Sequence, residues 1–475
     1  MHASVLTVEQ IRRIHAASLT MLERVGVQVP HPVVLERFAD SGAVVEWEAQ
    51  RVRIPAELVK RLVGVAGKQF TLYGRDLTKT AAFGVGARNY NSIAGEASWV
   101  DTLGGPRRYA TLADVATAAR LGDALPEINL VGAMADPHEI PPAWRTPQMM
   151  LAMLEHTSKP IHFWFHDRAS TAWLIEMMIA LRGNAQRARE YPICYPFLEP
   201  ISPLRFPFNG IDLLFETARL NLPVPVGPMA QMGLSAPATV AGTMAQENAE
   251  ILAGICITQL IQPGMPVCYG GICHAFDMGT TQLIFSGPEQ AIFGVGMTQL
   301  GKSYGLPVYI NVGLTDAKRP DAQAGLEAGI TLMLGAAAGA DIFGHMGICG
   351  VDQATSLDML VMQCEVISYV ESAMRGLEVS DETLGLAAVE EVGPGGTFID
   401  HDHTAAHFRR ELWFPTLLDR RYYDQWAGDG ASAMEARCIA RKERLLRDHQ
   451  PDPLPAELSR ELHALAAEAQ AALSR

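Results

Sequence analysis

The chain has 475 residues, 48% of them hydrophobic and 19% charged, and a formal net charge of −14. Such a composition buries a large core and excludes a disordered chain. The acidity excludes a nucleic-acid binder, which needs basic surface to neutralise phosphates, and a protein docked on anionic membranes.

The first residues, Met1–His15, carry no apolar signal-peptide core. No apolar run reaches the roughly 18–20 residues of a membrane span, since the longest, Ile251–Ile261, stops at Gln262-Pro263-Gly264. The seven cysteines form no Cys-x-x-Cys pair and read as free buried thiols of a cytoplasmic protein.

Residues 1–85 read as an N-terminal α+β cap. An amphipathic helix spans Val8–Val25, a second helix begins at Pro55, and short strands lie near Val44–Trp47, Val52–Ile54 and Phe70–Tyr73. From Asn89 onward one unit repeats eight times: a short β-rich run, a turn and a helix. The runs are Asn89–Ala94, Ile128–Met134, Pro160–His166, Tyr191–Phe197, Pro223–Met229, Met265–Gly271, Leu306–Gly313 and Ala340–Gly347. The helices are Leu112–Leu125, Gln148–Glu155, Thr171–Leu181, Ile211–Asn221, Thr239–Gln262, Pro288–Tyr304, Gln323–Ala338 and Leu357–Arg375. Eight βα units over residues 86–380 predict an α/β fold, a (β/α)₈ TIM barrel. An open doubly wound sheet would carry a glycine fingerprint that Gly84-Val85-Gly86 and Gly294-Val295-Gly296 lack. Residues 381–475 read as a C-terminal helical arm, with the basic stretch Arg437–Arg447 as a solvated helix face.

Barrel chemistry sits at the strand C-termini. Alternation along strand three directs His162, Trp164 and His166 inward. Strand four offers Tyr195 and Phe197, then Glu199, and strand five runs into Gln231. Strand seven directs Tyr309, Asn311 and Gly313 inward and leads to Asp316. Strand eight presents Phe343, His345 and Gly347. The expected pocket is therefore Trp164, His166, Phe197 and Phe343 with His345, shaped by Gln231, Asn311 and Asp316. This set is aromatic and short of carboxylates, and aromatic faces suit a quaternary ammonium cation. No nucleophile elbow, His-Glu-x-x-His or phosphate loop is present, and no spacing supplies three converging zinc ligands.

Longer stretches carry a resemblance. They include Ser235-Ala236-Pro237-Ala238-Thr239, Gln246-Glu247-Asn248-Ala249-Glu250, Gln262-Pro263-Gly264-Met265-Pro266 and Tyr304-Gly305-Leu306-Pro307. Thr315-Asp316-Ala317-Lys318, Thr157-Ser158-Lys159-Pro160, Ile201-Ser202-Pro203-Leu204 and Val392-Gly393-Pro394-Gly395-Gly396 follow the same pattern. Over roughly residues 8–450 the chain resembles the trimethylamine methyltransferase family. The resemblance implies a (β/α)₈ barrel that moves a methyl group from an amine to the cobalt of a corrinoid (cobalamin) on a separate protein. It also implies a homo-oligomer. Trimethylamine enzymes carry pyrrolysine in the loop before the Thr-Asp-Ala-Lys segment, where this chain has Val312-Gly313-Leu314. It is therefore similar to the non-pyrrolysine branch, which acts on quaternary amines such as glycine betaine, proline betaine and carnitine. For a betaine, His345 or His166 would hydrogen-bond the carboxylate. Two alternatives stay open: a metal-assisted lyase or hydrolase using His274, His345 and Asp316, and a non-catalytic quaternary-amine binder.

Overall fold

A computed structural model describes residues 1–474. Five barrel strands run parallel and hydrogen-bonded in the order Val224–Val226, Val267–Gly271, Val308–Asn311, Ile342–Met346, Asn89–Ser92. Asn91 then bridges Leu130, and Val131–Gly132 pairs with Ile161–His162, all parallel. The Ile161 N–H donates to the Ile193 carbonyl at 3.1 Å. Leu198 bridges Val226 and closes the ring. The chain is thus an eight-membered α/β barrel with helices outside.

The fourth member differs from expectation. Residues 191–197 form no regular strand. Pro192 and Pro196 each remove a ladder donor, so the segment meets its neighbouring barrel strands at Ile193 and Leu198, and its Pro192 carbonyl accepts from the Tyr73 N–H at 2.8 Å. One contact between the first two strands depends on glycine. A Cβ on Gly132 would lie 2.0 Å from the Ile93 carbonyl oxygen and 2.3 Å from that of Ser92.

The helix Val240–Ile261 is buried on nearly every side, its polar Gln246-Glu247-Asn248 and Glu250 included. Thr239 caps it by accepting from the Gly242 N–H at 3.2 Å. Helices Val8–Arg24 and Ala56–Val65 pack on its outer face, and Ser18 Oγ donates to the Ala245 carbonyl at 2.7 Å. No helix among the described residues is long and apolar enough to cross a membrane.

The N-terminal hairpin Phe70–Tyr73/Thr80–Phe83 closes one end of the barrel. Its Leu72, Ala81 and Phe83 form one buried cluster with Leu130, Tyr195, Cys268, Tyr309 and Ile342 from inside the ring. With that end plugged, access comes from the strand C-termini.

At the other terminus, Ala456–Leu473 packs on helices Pro142–His156 and Arg168–Arg182. The basic stretch is not simply solvated. Arg441, only 9% exposed in its side chain, sits 3.6 Å from Glu365, and Lys442 pairs with Asp358 at 2.9 Å. These acids lie on the last barrel helix, Leu357–Met374, and draw the basic face inward. All seven cysteines are free and buried.

Candidate active site

A cavity of about 590 Å³ opens at the C-terminal ends of the strands. Its aromatic wall begins where strand three ends. Trp164 Nε1–H donates to the Gly95 carbonyl at 3.1 Å, which fixes the indole plane. Phe197 meets it edge-on, with ring centroids 5.8 Å apart at 87°. Phe197 also stands edge-on to Tyr309 at 5.6 Å. His166, Met229 and Gln231 complete the same lining. His345 packs against Trp164 at 6.1 Å and is hydrogen-bonded to Tyr309 Oη through Nε2 at 2.7 Å.

The structure therefore brings Trp164, His166, Phe197 and Gln231 around the cavity, with His345 adjoining them. The other three expected residues lie elsewhere. Phe343 stacks on Tyr90 at 5.2 Å, and its ring edge approaches Gly335 of the helix Ala322–Ala338, so it faces the helix layer. The cause is a register shift between Phe343 and Met346 that breaks the alternation of strand eight. Asn311 is buried deeper, 3.3 Å from His274 Nε2, while its carbonyl accepts from Gln290 Nε2 at 2.7 Å. Asp316 accepts from the Phe285 and Ser286 N–H groups at 2.9 and 3.3 Å, bracing a loop. Val308-to-Asn311 alternation placed Asn311 inward correctly in direction, but below the reach of the cavity lining.

The expected scarcity of carboxylates is also corrected. Glu199 lines the cavity with Asp352 near it, and Asp352 in turn neighbours Glu96, which also has Asp136 near it. Burial, then Asp352 and Asp136, raises the Glu96 carboxyl to about 9. Burial also raises Asp352. Glu199 is accessible inside the cavity yet ringed by protein, and this confinement with the charge of Asp352 lifts it to about 7. Asp136 is approached by Arg145 and by His166, both at 3.7 Å. Each acid lies in the loop after a different barrel strand. Position relative to four strand ends was the signal; no local motif marks them.

His274, His345 and Asp316 do not converge. Each has its own partner, and among the described residues no group of three or more His, Cys, Asp or Glu side chains is arranged to hold a metal. The site thus offers an aromatic wall, an acidic rim and no activated protein nucleophile.

A barrel of this kind, open at its strand C-termini, is enzyme architecture. A family model described as trimethylamine methyltransferase (MTTB) matches residues 1–474, and the chain belongs to that family; it is a methyltransferase. It is 31% identical over 468 residues to a glycine betaine methyltransferase of Desulfitobacterium hafniense (strain Y51), covering 98% of this chain and 97% of the relative. It is 30% identical over 482 residues to a trimethylamine methyltransferase MttB of Methanosarcina thermophila, covering 97% and 96%. Its fold is similar to that of a crystal structure of the hydroxylamine MtmB complex, with TM-score 0.50 and 10% identity over 99% of this chain and 95% of that one.

Proposed function

We propose that the enzyme transfers a methyl group from a quaternary, betaine-like amine to the cobalt(I) of a corrinoid held by a separate partner protein. The observation that carries this reading is the cavity itself: aromatic walls and an acidic rim, with no activated nucleophile of its own. A corrinoid, presented by its carrier, supplies the nucleophile that the barrel lacks. The mouth fits such a visitor. Leu234 and Ile201 line it while remaining 60% and 43% exposed, and Met278, beside Gly233, is 67% exposed. These exposed apolar side chains beside the acidic groups of the mouth suit cover by a docked protein.

The protein's own task is binding and orientation. A quaternary ammonium leaves as a neutral tertiary amine, so no residue needs to deliver a proton. The Trp164 face and Phe197 edge hold the cation by π-attraction worth about 0.5–2 kcal/mol per ring. Glu199, only partly ionised near neutrality, attracts the cation without pairing it so tightly that the ground state is favoured over a transition state of dispersing charge. Val312, Gly313 and Leu314 are fully buried and place no reactive group in the cavity.

Further readings belong to this proposal. Unpaired buried cysteines fit a cytoplasmic enzyme. A homo-oligomer is supported by the arm between Gly376 and Tyr423, where Leu377, Leu384, Ile399, Phe414 and Tyr422 are all exposed. The test is anaerobic methyl transfer to cob(I)alamin, followed as methylcobalamin absorbance, with glycine betaine and other quaternary amines as donors. Failure with every donor, with a cognate corrinoid protein also present, sinks the proposal.

A further inference from the structure

Beneath Trp164 lies a set of buried polar side chains that binding of a cation leaves unused. Asn91, on the first barrel strand, is completely buried. Its Nδ2 group donates to Tyr309 Oη at 3.4 Å and reaches His162 Nδ1 at 3.2 Å. The Tyr309 oxygen accepts from Asn91, and among the described residues His345 Nε2, 2.7 Å away, is the one hydrogen-bond partner that can take the Tyr309 proton. An amide nitrogen only donates, and each neutral imidazole has one donor and one acceptor. These contacts therefore set both tautomers: His162 accepts at Nδ1 and carries its proton on Nε2, while His345 accepts at Nε2 and carries its proton on Nδ1.

Those two N–H groups are left without a partner among the described residues, as is the Asn91 Oδ1 acceptor. His162 and His345 are 0% and 5% exposed. The Tyr195 hydroxyl, also without a partner, belongs to a ring packed 5.2 Å from that of His162. Buried donors are normally satisfied, so several together point to an acceptor that arrives from outside. Both histidine rings adjoin Trp164, at 5.5 and 6.1 Å, and Trp164 lines the cavity. Burial holds both imidazoles neutral at ordinary pH, with His162 near 3 and His345 well below its usual value. His166, by contrast, lies 3.7 Å from Asp136 and belongs to the acidic rim.

Carboxylates thus lie at the cavity mouth, and the uncharged N–H donors lie buried behind Trp164, one side chain below the lining. We propose that His345 Nδ1–H and His162 Nε2–H, held in these tautomers by Asn91 and Tyr309, form a carboxylate subsite. It selects zwitterionic quaternary amines over cations with the same head group and turns their N-methyl groups toward the mouth. The proposal rests on the methyl-transfer reading only for the identity of the ammonium end. A carboxylate accepting from both donors satisfies them, while the ionised form of Glu199 repels the opposite orientation.

Calorimetric titration of the intact enzyme with glycine betaine and with tetramethylammonium tests this without any corrinoid. The wild type should prefer glycine betaine by about tenfold or more. In His345→Asn the amide replaces Nδ1–H and the preference should persist. In His345→Gln the amide falls at the Nε2 position instead, and in Asn91→Leu the tautomer lock is gone. Both should lose the preference while binding tetramethylammonium as the wild type does. A wild type without preference, or a preference that survives both His345→Gln and Asn91→Leu, overturns the proposal. Nitrogen-15 spectra of histidine-labelled wild-type enzyme read the tautomers directly, whatever the variants' folding, and the opposite tautomers would equally overturn it. The expected binding pattern with no methyl transfer from any donor would sustain the subsite and remove the methyl-transfer reading.

Discussion

Replacing Glu199 by Gln removes the titratable group that faces into the cavity at about neutral pH. Its carboxyl is lifted to about 7, first by burial and then by Asp352. Across pH 6–8 it passes from mostly neutral to mostly ionised, whereas Glu96, at about 9, stays protonated through most of that window. An ammonium a few ångströms from the ionised form gains about 1.5 kcal/mol, intermediate between water and a protein surface, or roughly tenfold in affinity. Weighting the two protonation states, binding of a quaternary amine to the wild type should strengthen roughly fivefold from pH 6 to pH 8. Glu199→Gln should be nearly flat and close to the acidic limit of the wild type. The same shift has a stability consequence of opposite sense. A carboxyl raised in the folded state penalises folding above that pKa and not below its unfolded value of 4.5. The full shift corresponds to about 3 kcal/mol, discounted to about 1 kcal/mol because Glu199 meets solvent inside the cavity. Glu199→Gln should therefore be the more stable protein at pH 8 and equal to the wild type at pH 4. Titration calorimetry over the pH series is the assay. Parallel pH profiles for the two proteins, or wild-type affinity that falls as pH rises, would refute the reasoning.

Trp164→Leu keeps apolar bulk but removes the best π face, so KM for a quaternary amine should rise about 5–30-fold, with thermal stability changed far less. Glu247 is fully buried and accepts from the Ala230 and Ile272 N–H groups at 3.1 and 2.6 Å, tying two strand-end loops to the long helix. Glu247→Ala should cost about 2–4 kcal/mol by stranding these donors, seen as a lower denaturation midpoint, and Glu247→Gln should recover part of it. Gly132→Ala places a methyl against two backbone carbonyls and should abolish soluble folded enzyme, judged by circular dichroism and gel filtration; a fully active variant would contradict the described strand spacing.

Much of this protein was legible along the chain. The eight-fold alternation of β-rich runs and helices marked the barrel because each unit carries its own turn and cap residues. Trp164, His166 and Phe197 could be placed at the mouth because side chains alternate along an extended run. Reading failed where that alternation failed. The shifted register of strand eight turned Phe343 to the helices, and Pro192 and Pro196 left the fourth member irregular.

Local periodicity thus determined the architecture, the active end and most of the aromatic wall, since these depend on residues a few positions apart. Tertiary structure alone decided the electrostatics. Glu96, Asp136, Glu199 and Asp352 are far apart in sequence and meet only when the ring closes. The tautomers of His162 and His345 depend on Asn91 and Tyr309 from other strands. Charge interactions and hydrogen-bond direction depend on distance through space, and closure of the barrel is what sets those distances.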